Sequence, residues 1–408
     1  MASACFILDR DVRLVASTGE KTSGGWRIDG EDKQNPNGLA NWVPEGTIKV
    51  VADNLVDPPE ISTLSLHLPA VPADIVGELE EVHVTSSDEN LLVLSTGPAS
   101  FRLASSGRYL VYDVTAGSGD LFLAPPIDTF EVKEVFGCRP VIVRHGGGGG
   151  FVMAIVVWSN RARKYSLLRW SSPSSSQGSN NNDDDQGQQQ QWVWSDVCLP
   201  DDMAHYPFRA DVAFAFQGRL ACWVDLYLGI RTCDLLSPDP PRFELKLLPE
   251  DYVVRRRRGR PDGYSTVSCV HGRIKFLYME GFIDEEAPRD LVTITTWSLV
   301  GHLPGQCVWV RDENTKLRAG DLWADDSFVR VPGLPERPPT FPVLSLKEPD
   351  VAYFFLSDID YAGGAITTKG EYVLGLNLVS KKVQSWSKCP PGRSLLLFPS
   401  FIVVELYV

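Results

Sequence analysis

The sequence predicts an all-β protein with very little helix. The expected fold is a β-propeller-like array of short antiparallel four-stranded meanders, about six blades in all. Three observations lead there. Residues 210–249 hold four short apolar segments separated by turn residues, the size of one propeller blade. A Gly-Arg-apolar step recurs at Gly107-Arg108-Tyr109, Gly218-Arg219-Leu220 and Gly272-Arg273-Ile274, each time between two strand-like segments. Helical periodicity is poor, and only Ala73 to Glu81 could form a short helix.

The blade-like unit reads as follows. Val212, Phe214 and Phe216 alternate with small residues, the period-two pattern of a half-buried strand. Gln217-Gly218 turns the chain, Leu220 to Asp225 makes a second strand, and Tyr227 to Gly229 turns again. Ile230 to Leu236 is the third strand, Ser237 to Pro241 a proline-rich bend, and Phe243 to Leu248 the fourth. AFAFQGRLACWV and VSCVHGRIKFLY repeat the hairpin, with glycine where a tight turn needs positive φ. Further strands are expected at Leu91–Ser95, Tyr109–Val114, Phe151–Trp158, Leu291–Leu299, Val351–Leu356, Tyr372–Leu378 and Val383–Trp386. Cys5 to Leu8 and Ile402 to Tyr407 are apolar, and pairing them would close the array and remove an open edge. A sandwich of several sheets is the alternative architecture.

A single domain over residues 1–408 is expected, interrupted by three irregular segments. Ser171 to Gln191, SSPSSSQGSNNNDDDQGQQQQ, has no apolar side chain larger than proline and is expected to be disordered. It lies between two strand-like stretches, Arg163–Trp170 and Trp192–Val197, so it reads as an expanded hairpin loop. Ser17 to Asn41 and the pentaglycine Gly146 to Gly150 are expected to be flexible. The third irregular segment is the Arg-rich loop at 253–263.

Bulk composition excludes several function classes. Hydrophobic residues make up 43% of 408, enough for a substantial core, and the net charge is −13. Such a chain repels phosphate backbones unless it carries a local basic patch. The longest clean apolar run, Phe151 to Trp158, is far short of the roughly 20 residues a membrane span needs. The N-terminus lacks a secretory pattern, and the eight cysteines show no C-x-x-C spacing. A reducing cytosolic or nuclear setting is therefore expected, with no secretion and no membrane contact.

No motif carries chemistry, so neither an enzyme nor a cofactor is expected. The glycine run fails the G-x-G-x-x-G spacing, and the six histidines form no metal-ligand pattern. Carboxylates pair in sequence at Asp225 with Asp234 and at Asp358 with Asp360, where acceptance of turn N–H groups competes with acid/base chemistry. The tryptophans in or beside strands are expected to pack the core. The sharp local feature is Arg255-Arg256-Arg257-Arg258-Gly259-Arg260-Pro261, five arginines in an acidic protein. Three readings stay open: a solvated loop, a nuclear-import signal, and minor-groove contact through an AT-hook-like Arg258-Gly259-Arg260-Pro261.

Gly218-Arg219-Leu220, Cys222-Trp223-Val224-Asp225, Gly229-Ile230 and Cys233-Asp234 resemble the grass-expanded plant family known as domain of unknown function 1618. The resemblance is close over residues 210–300 and looser elsewhere, through Phe6–Asp9, Asp57-Pro58-Pro59 and Thr296-Trp297-Ser298. It implies a β-rich, propeller-like protein without assigned catalytic residues. Gly218, Arg219, Trp223, Asp225, Gly229, Cys233 and Asp234 are accordingly expected to be structural. The function expected is a non-enzymatic protein–protein interaction scaffold with unknown protein partners. The alternatives are a propeller-type hydrolase or carbohydrate-active enzyme, and a nuclear DNA-associated factor using the Arg-rich loop.

Overall fold

Unbroken apolar runs such as Leu91–Leu94, Tyr109–Tyr112 and Phe151–Val157 are strands buried on both faces, because successive side chains point to opposite sides of a sheet. The computed structural model describes residues 3–16, 49–68, 82–96, 109–114, 120–125, 127, 139–145, 150–159, 164–172, 191–197, 208–252, 260–284, 286–303, 305–362, 365–389 and 401–407. The expected helix at 73–81, the turn at Gly107-Arg108 and the segment 17–41 lie outside these. So do most of the pentaglycine, residues 173–190 of the polar insert and residues 253–259.

The chain begins with β1 (Ser3–Asp9), β2 (Arg13–Ala16), β3 (Lys49–Asn54) and β4 (Ile61–Leu68). Five antiparallel meanders of consecutive strands follow. The first is β5 (Val82–Asp88), β6 (Leu91–Thr96), β7 (Tyr109–Asp113) and β8 (Asp120–Leu123). The second is β9 (Val141–His145), β10 (Gly150–Ser159), β11 (Lys164–Ser171) and β12 (Val193–Asp196). The third is β13 (Val212–Phe216), β14 (Leu220–Asp225), β15 (Gly229–Asp234) and β16 (Glu244–Leu247). The fourth is β17 (Ser265–Val270), β18 (Arg273–Glu280), β19 (Thr293–Gly301) and β20 (Cys307–Arg311), with β21 (Leu317–Arg318) added beside β19. The fifth is β22 (Thr340–Leu344), β23 (Val351–Ala362), β24 (Ala365–Asn377) and β25 (Lys382–Lys388). β26 (Phe401–Tyr407) then returns to the N-terminus.

β26 pairs antiparallel with β1, Ser3 opposite Tyr407 and Asp9 opposite Phe401. β1 and β4 pair in parallel, so this closing sheet differs in make from the five regular blades. The regular blades number five, one fewer than the roughly six expected, because the remaining sheet is built from both ends of the chain and includes parallel pairs. The first strands of the meanders and β26 are successive neighbours around a closed ring, in the order β5, β9, β13, β17, β22, β26. The last strands, β12, β16 and β25, carry mostly exposed or half-buried residues and form the rim.

Alternation distributes side chains between neighbouring blades. Cys5, Ile7 and Val403 pack with β23 and β24, whereas Phe6, Leu8, Val404 and Leu406 pack with β5–β7. β13 shows why its pattern was half-legible. Val212, Phe214 and Phe216 face the fourth meander, and the small Ala213 and Ala215 face the second. The alternation is of large against small, with protein on both sides.

Tryptophans tie blade to blade. Trp192 Nε1 donates to Pro125 O at 2.8 Å, Trp223 Nε1 to Arg139 O at 3.1 Å, and Trp309 Nε1 to Leu247 O at 2.8 Å. Gln217-Gly218 and His271-Gly272 both have positive φ at each central residue, as a type I′ hairpin turn requires. β11 and β12 pair with Ser166 opposite Asp196, so the polar insert joins two strands of one hairpin. Two features departed from expectation. Arg289–Leu291 is a 3₁₀ turn and β19 starts only at Thr293. Two short helices, α1 (Ala319–Ala324) and α2 (Asp326–Val329), went unread because neither reaches two full turns. Asp325 caps α2 through the N–H of Ser327 at 2.8 Å.

Deleting residues 401–407 removes buried Val403, Val404 and Leu406 and unzips β1. Three such side chains at about 1.5–3 kcal/mol each predict a loss on the order of 5 kcal/mol or outright misfolding. Thermal and urea unfolding of the truncated chain measures this, and unchanged stability would refute closure by β26.

Candidate functional site

Charged residues lead into the inner strands. Arg139 precedes β9, Arg209 and Asp211 precede β13, and Arg260 and Asp262 precede β17. Arg10 comes from the link between β1 and β2, which lies along β5: Val84 N donates to Arg10 O at 2.7 Å and Val12 N to Val82 O at 2.9 Å. Because neighbouring inner strands start at one end of the ring, these leading segments converge on one mouth of its axis.

The contacts are specific. Arg10 Nη1 donates to Val84 O at 3.2 Å and to Thr85 O at 3.3 Å. Arg260 grips Asp262 with both arms of its fork, at 3.1 Å and 2.5 Å, and its guanidinium lies 5.4 Å from the ring centre of Phe341. Phe341 holds φ at 49°, a left-handed conformation costly for an aromatic residue. Arg209 Nε lies 3.4 Å from Asp211 Oδ1, and Asp211 Oδ2 accepts the N–H of Leu226 at 3.0 Å. The Tyr252 hydroxyl donates to Leu226 O at 2.7 Å, so Tyr252 and Arg260, the residues that flank 253–259, are both held at this mouth.

Arg10 and Arg139 lie deep in the molecule yet remain part-exposed, as groups lining an axial channel would. Loss of hydration pulls both below the ordinary arginine value. The two repel each other at Arg10, where Asp262 opposes the shift. At Arg139, Asp211 and Asp262 oppose it while Arg209 and Arg260 add to it. Arginine keeps its proton in proteins, so the shifts describe desolvated cations crowded together. Asp211 is pushed up to about 6 by burial and by the charge of Asp225, against the Leu226 N–H and the charges of Arg209 and Arg139.

Behind the mouth sits a fully buried carboxylate, Asp225, which accepts the N–H groups of Tyr227 at 2.9 Å and Arg209 at 3.1 Å. Arg231 is 2% exposed and lies between the rings of Phe208, 4.2 Å away, and Tyr165, 5.0 Å away, within reach of the charge of Asp225. This stack joins the second meander to the third.

The residues singled out from sequence are scattered. Asp225 and Asp234 sit at opposite ends of the β14–β15 hairpin, five ladder steps or about 17 Å apart, so they do not form a catalytic pair. Asp234 accepts the N–H of Leu236 at 3.0 Å and pairs with Arg219. Gly218 supplies positive φ, and at Gly229 a Cβ would lie 2.3 Å from Lys246 O, so only glycine fits. Trp223 is buried against Phe243. Cys233 is buried too, its thiol pushed up to about 12 by desolvation. Arg255, Arg256, Arg257 and Arg258 lie outside the described residues, while Arg260 is at the mouth. Arg10, Arg139, Arg209 and Asp211 were missed, being single charged residues spread over about two hundred positions. A usable signal existed in the charged residue just upstream of several meanders.

The opposite mouth holds a cavity of about 440 Å³ lined by Cys5, Cys269, His271, Lys347 and Glu405. Desolvation raises both thiols, Cys269 to about 11, so neither is a ready thiolate. Asp88, also raised to about 6 by burial, accepts the N–H of Arg144 at 2.8 Å. Among the described residues, no group of three His, Cys, Asp or Glu side chains is placed to hold a metal ion. Among them too, no helix is long and apolar enough to cross a membrane.

Two measurements test these assignments. Asp211 binds its proton more tightly folded, near 6, than unfolded, near 3.8, so its ionisation makes stability fall as pH rises between those values. Asp211→Asn should remove on the order of 2–3 kcal/mol of that fall, measured by urea unfolding at pH 4 and pH 7, and leave the share due to Asp88. Arg231→Ala should destabilise by about 3 kcal/mol, because it empties the fully buried space between the rings of Phe208 and Tyr165. Arg231→Lys should recover only part of this, since an ammonium cannot stack between two rings.

No curated protein matches this sequence. Residues 223–353, from β14 through the start of β23, match the family described as Protein of unknown function (DUF1618).

Proposed function

We propose that this chain is a non-enzymatic protein–protein interaction scaffold of the cytosol or nucleus, and that a partner docks on the arginine-lined mouth. One observation carries the reading. Four arginines from four different sheets converge on one concave end of a protein whose net charge is −13. Propellers offer such an end as a rigid platform, and guanidinium groups are favoured where planar acidic groups are recognised. The strained Phe341 beside Arg260 adds an apolar contact to the cationic rim.

A hydrolase is the second reading, favoured by the Asp211 carboxyl poised near 6 at the same mouth. It differs in prediction: turnover of some ester or glycoside would be abolished by Asp211→Asn. A DNA-binding role through Arg258 and Arg260 is weakened by the grip of Asp262 on Arg260.

The scaffold reading is tested by cross-linking the full chain in cells, beside a variant carrying Arg139→Gln and Arg260→Gln. At least one direct partner should be lost from the variant, and the purified partner should bind the wild type at least about tenfold more tightly than the variant. An identical partner set would count against docking at the mouth.

A further inference from the structure

Among the described residues, the last strand of each regular meander has a neighbour on one side only. Such an edge invites pairing with another chain unless charged or polar residues guard it. Four of the five carry guards. β8 begins at Asp120, β12 has Ser195 and Asp196, β16 has Glu244 and Lys246, and β25 has Lys382 and Lys388. β20 reads CVWVR and holds no charge before its last residue, Arg311. Val308 and Val310 on it are 59% and 47% exposed, and Val300, opposite Val308 on β19, is 51% exposed. These valines make an apolar stripe on one face of the sheet.

The backbone of the same strand is set for pairing. His302 N donates to Gln306 O at 3.3 Å and Asp312 N to Thr296 O at 2.9 Å, so the hydrogen-bonded rungs between β19 and β20 alternate inward from those two. Val308 and Val310 therefore turn their N–H and C=O groups toward β19. Cys307, Trp309 and Arg311 turn theirs outward, where among the described residues no strand meets them. The Lys246 ammonium donates to Cys307 O, and a carbonyl keeps a second lone pair.

The residues around Trp309 read the same in both directions, Val-Trp-Val. Antiparallel pairing with a second β20 about a two-fold axis at Trp309 places Val308 of each copy opposite Val310 of the other. It also places Trp309 opposite Trp309 and Cys307 opposite Arg311. Each of these latter pairs exchanges both backbone hydrogen bonds, because all three residues face outward. A slip of one residue would set outward groups against ones already bonded to β19. Charge fits the same register. Arg311 of one copy arrives at the Cys307 end of the other, where exposed Glu244 accepts the Gly305 N–H at 2.9 Å. That carboxylate offers the incoming guanidinium a counter-charge, once in each half of the pair.

We propose that the chain forms a two-fold dimer through the outer edge of β20. The surface is separate from the arginine-lined mouth, so the two stand or fall independently. One strand pairing is a small interface, and the association is accordingly of micromolar strength.

Sedimentation equilibrium of the full chain from about 1 to 200 µM tests it. A reversible monomer–dimer equilibrium is expected. Val308→Lys and Val310→Lys together set like charges opposite one another and should weaken it roughly tenfold or more, with circular dichroism and melting temperature unchanged. Mixing reads the register. Val308→Lys with Val310→Glu brings opposite charges face to face in the mixed dimer only, so the mixture should associate more tightly than either variant alone. Hydrogen exchange of the unaltered chain needs no variant: the N–H groups of Cys307, Trp309 and Arg311 should exchange more slowly as concentration rises. A chain that stays monomeric at about 200 µM, a dimer indifferent to the two lysines, or a mixture no tighter than its components would overturn the proposal. So would a photo-cross-linker at position 310 that captures a strand of some other protein in cells and no second copy.

Discussion

Pairing of the two chain ends is the constraint on which the rest depends. β26 occupies the innermost position of a sheet whose next strand is β1, so the ring of inner strands is complete only when the last residues have returned to the first. Both strands bury both faces, one toward β5–β7 and the other toward β23 and β24. Without that sheet the blades at either side would expose apolar faces and an open edge. The cost is a contact of very high sequence separation, which folding must reach late.

Closure also explains why charges can sit so deep. In an open stack of meanders, the leads into successive inner strands would fan outward into water. Bent into a ring, they meet, and Arg10 and Arg139 lose hydration that the charges of Asp211 and Asp262 offset in part. The raised carboxyl of Asp211 and the left-handed Phe341 are costs borne at the same place.

The supports around that end are ordinary by comparison. Tryptophan N–H groups reach neighbouring carbonyls from blade to blade, Arg231 fills the seam between Phe208 and Tyr165, and Asp225 anchors the turn at Tyr227.

Local physics made much of the fold legible. The β13–β16 meander, the glycine turns at Gly218 and Gly272, and the zipped ends at Cys5–Leu8 and Ile402–Tyr407 could all be read directly, because alternation, positive φ and apolar edges are short-range demands. Short helices with a single cap, such as the one begun by Asp325, left too little pattern to read. The candidate site was barely legible. Only Arg260 and Asp262 lie within a segment whose composition stands out, the Arg-rich loop at 253–263. Arg10, Arg139, Arg209 and Asp211 are single charged residues up to about two hundred positions apart, and nothing local distinguishes them from solvated surface. The sequence by itself determined which stretches would be strands and where hairpins would turn. Only the tertiary structure decided which charges would face one another, because the closing ring, and no feature of the separate segments, brings them together.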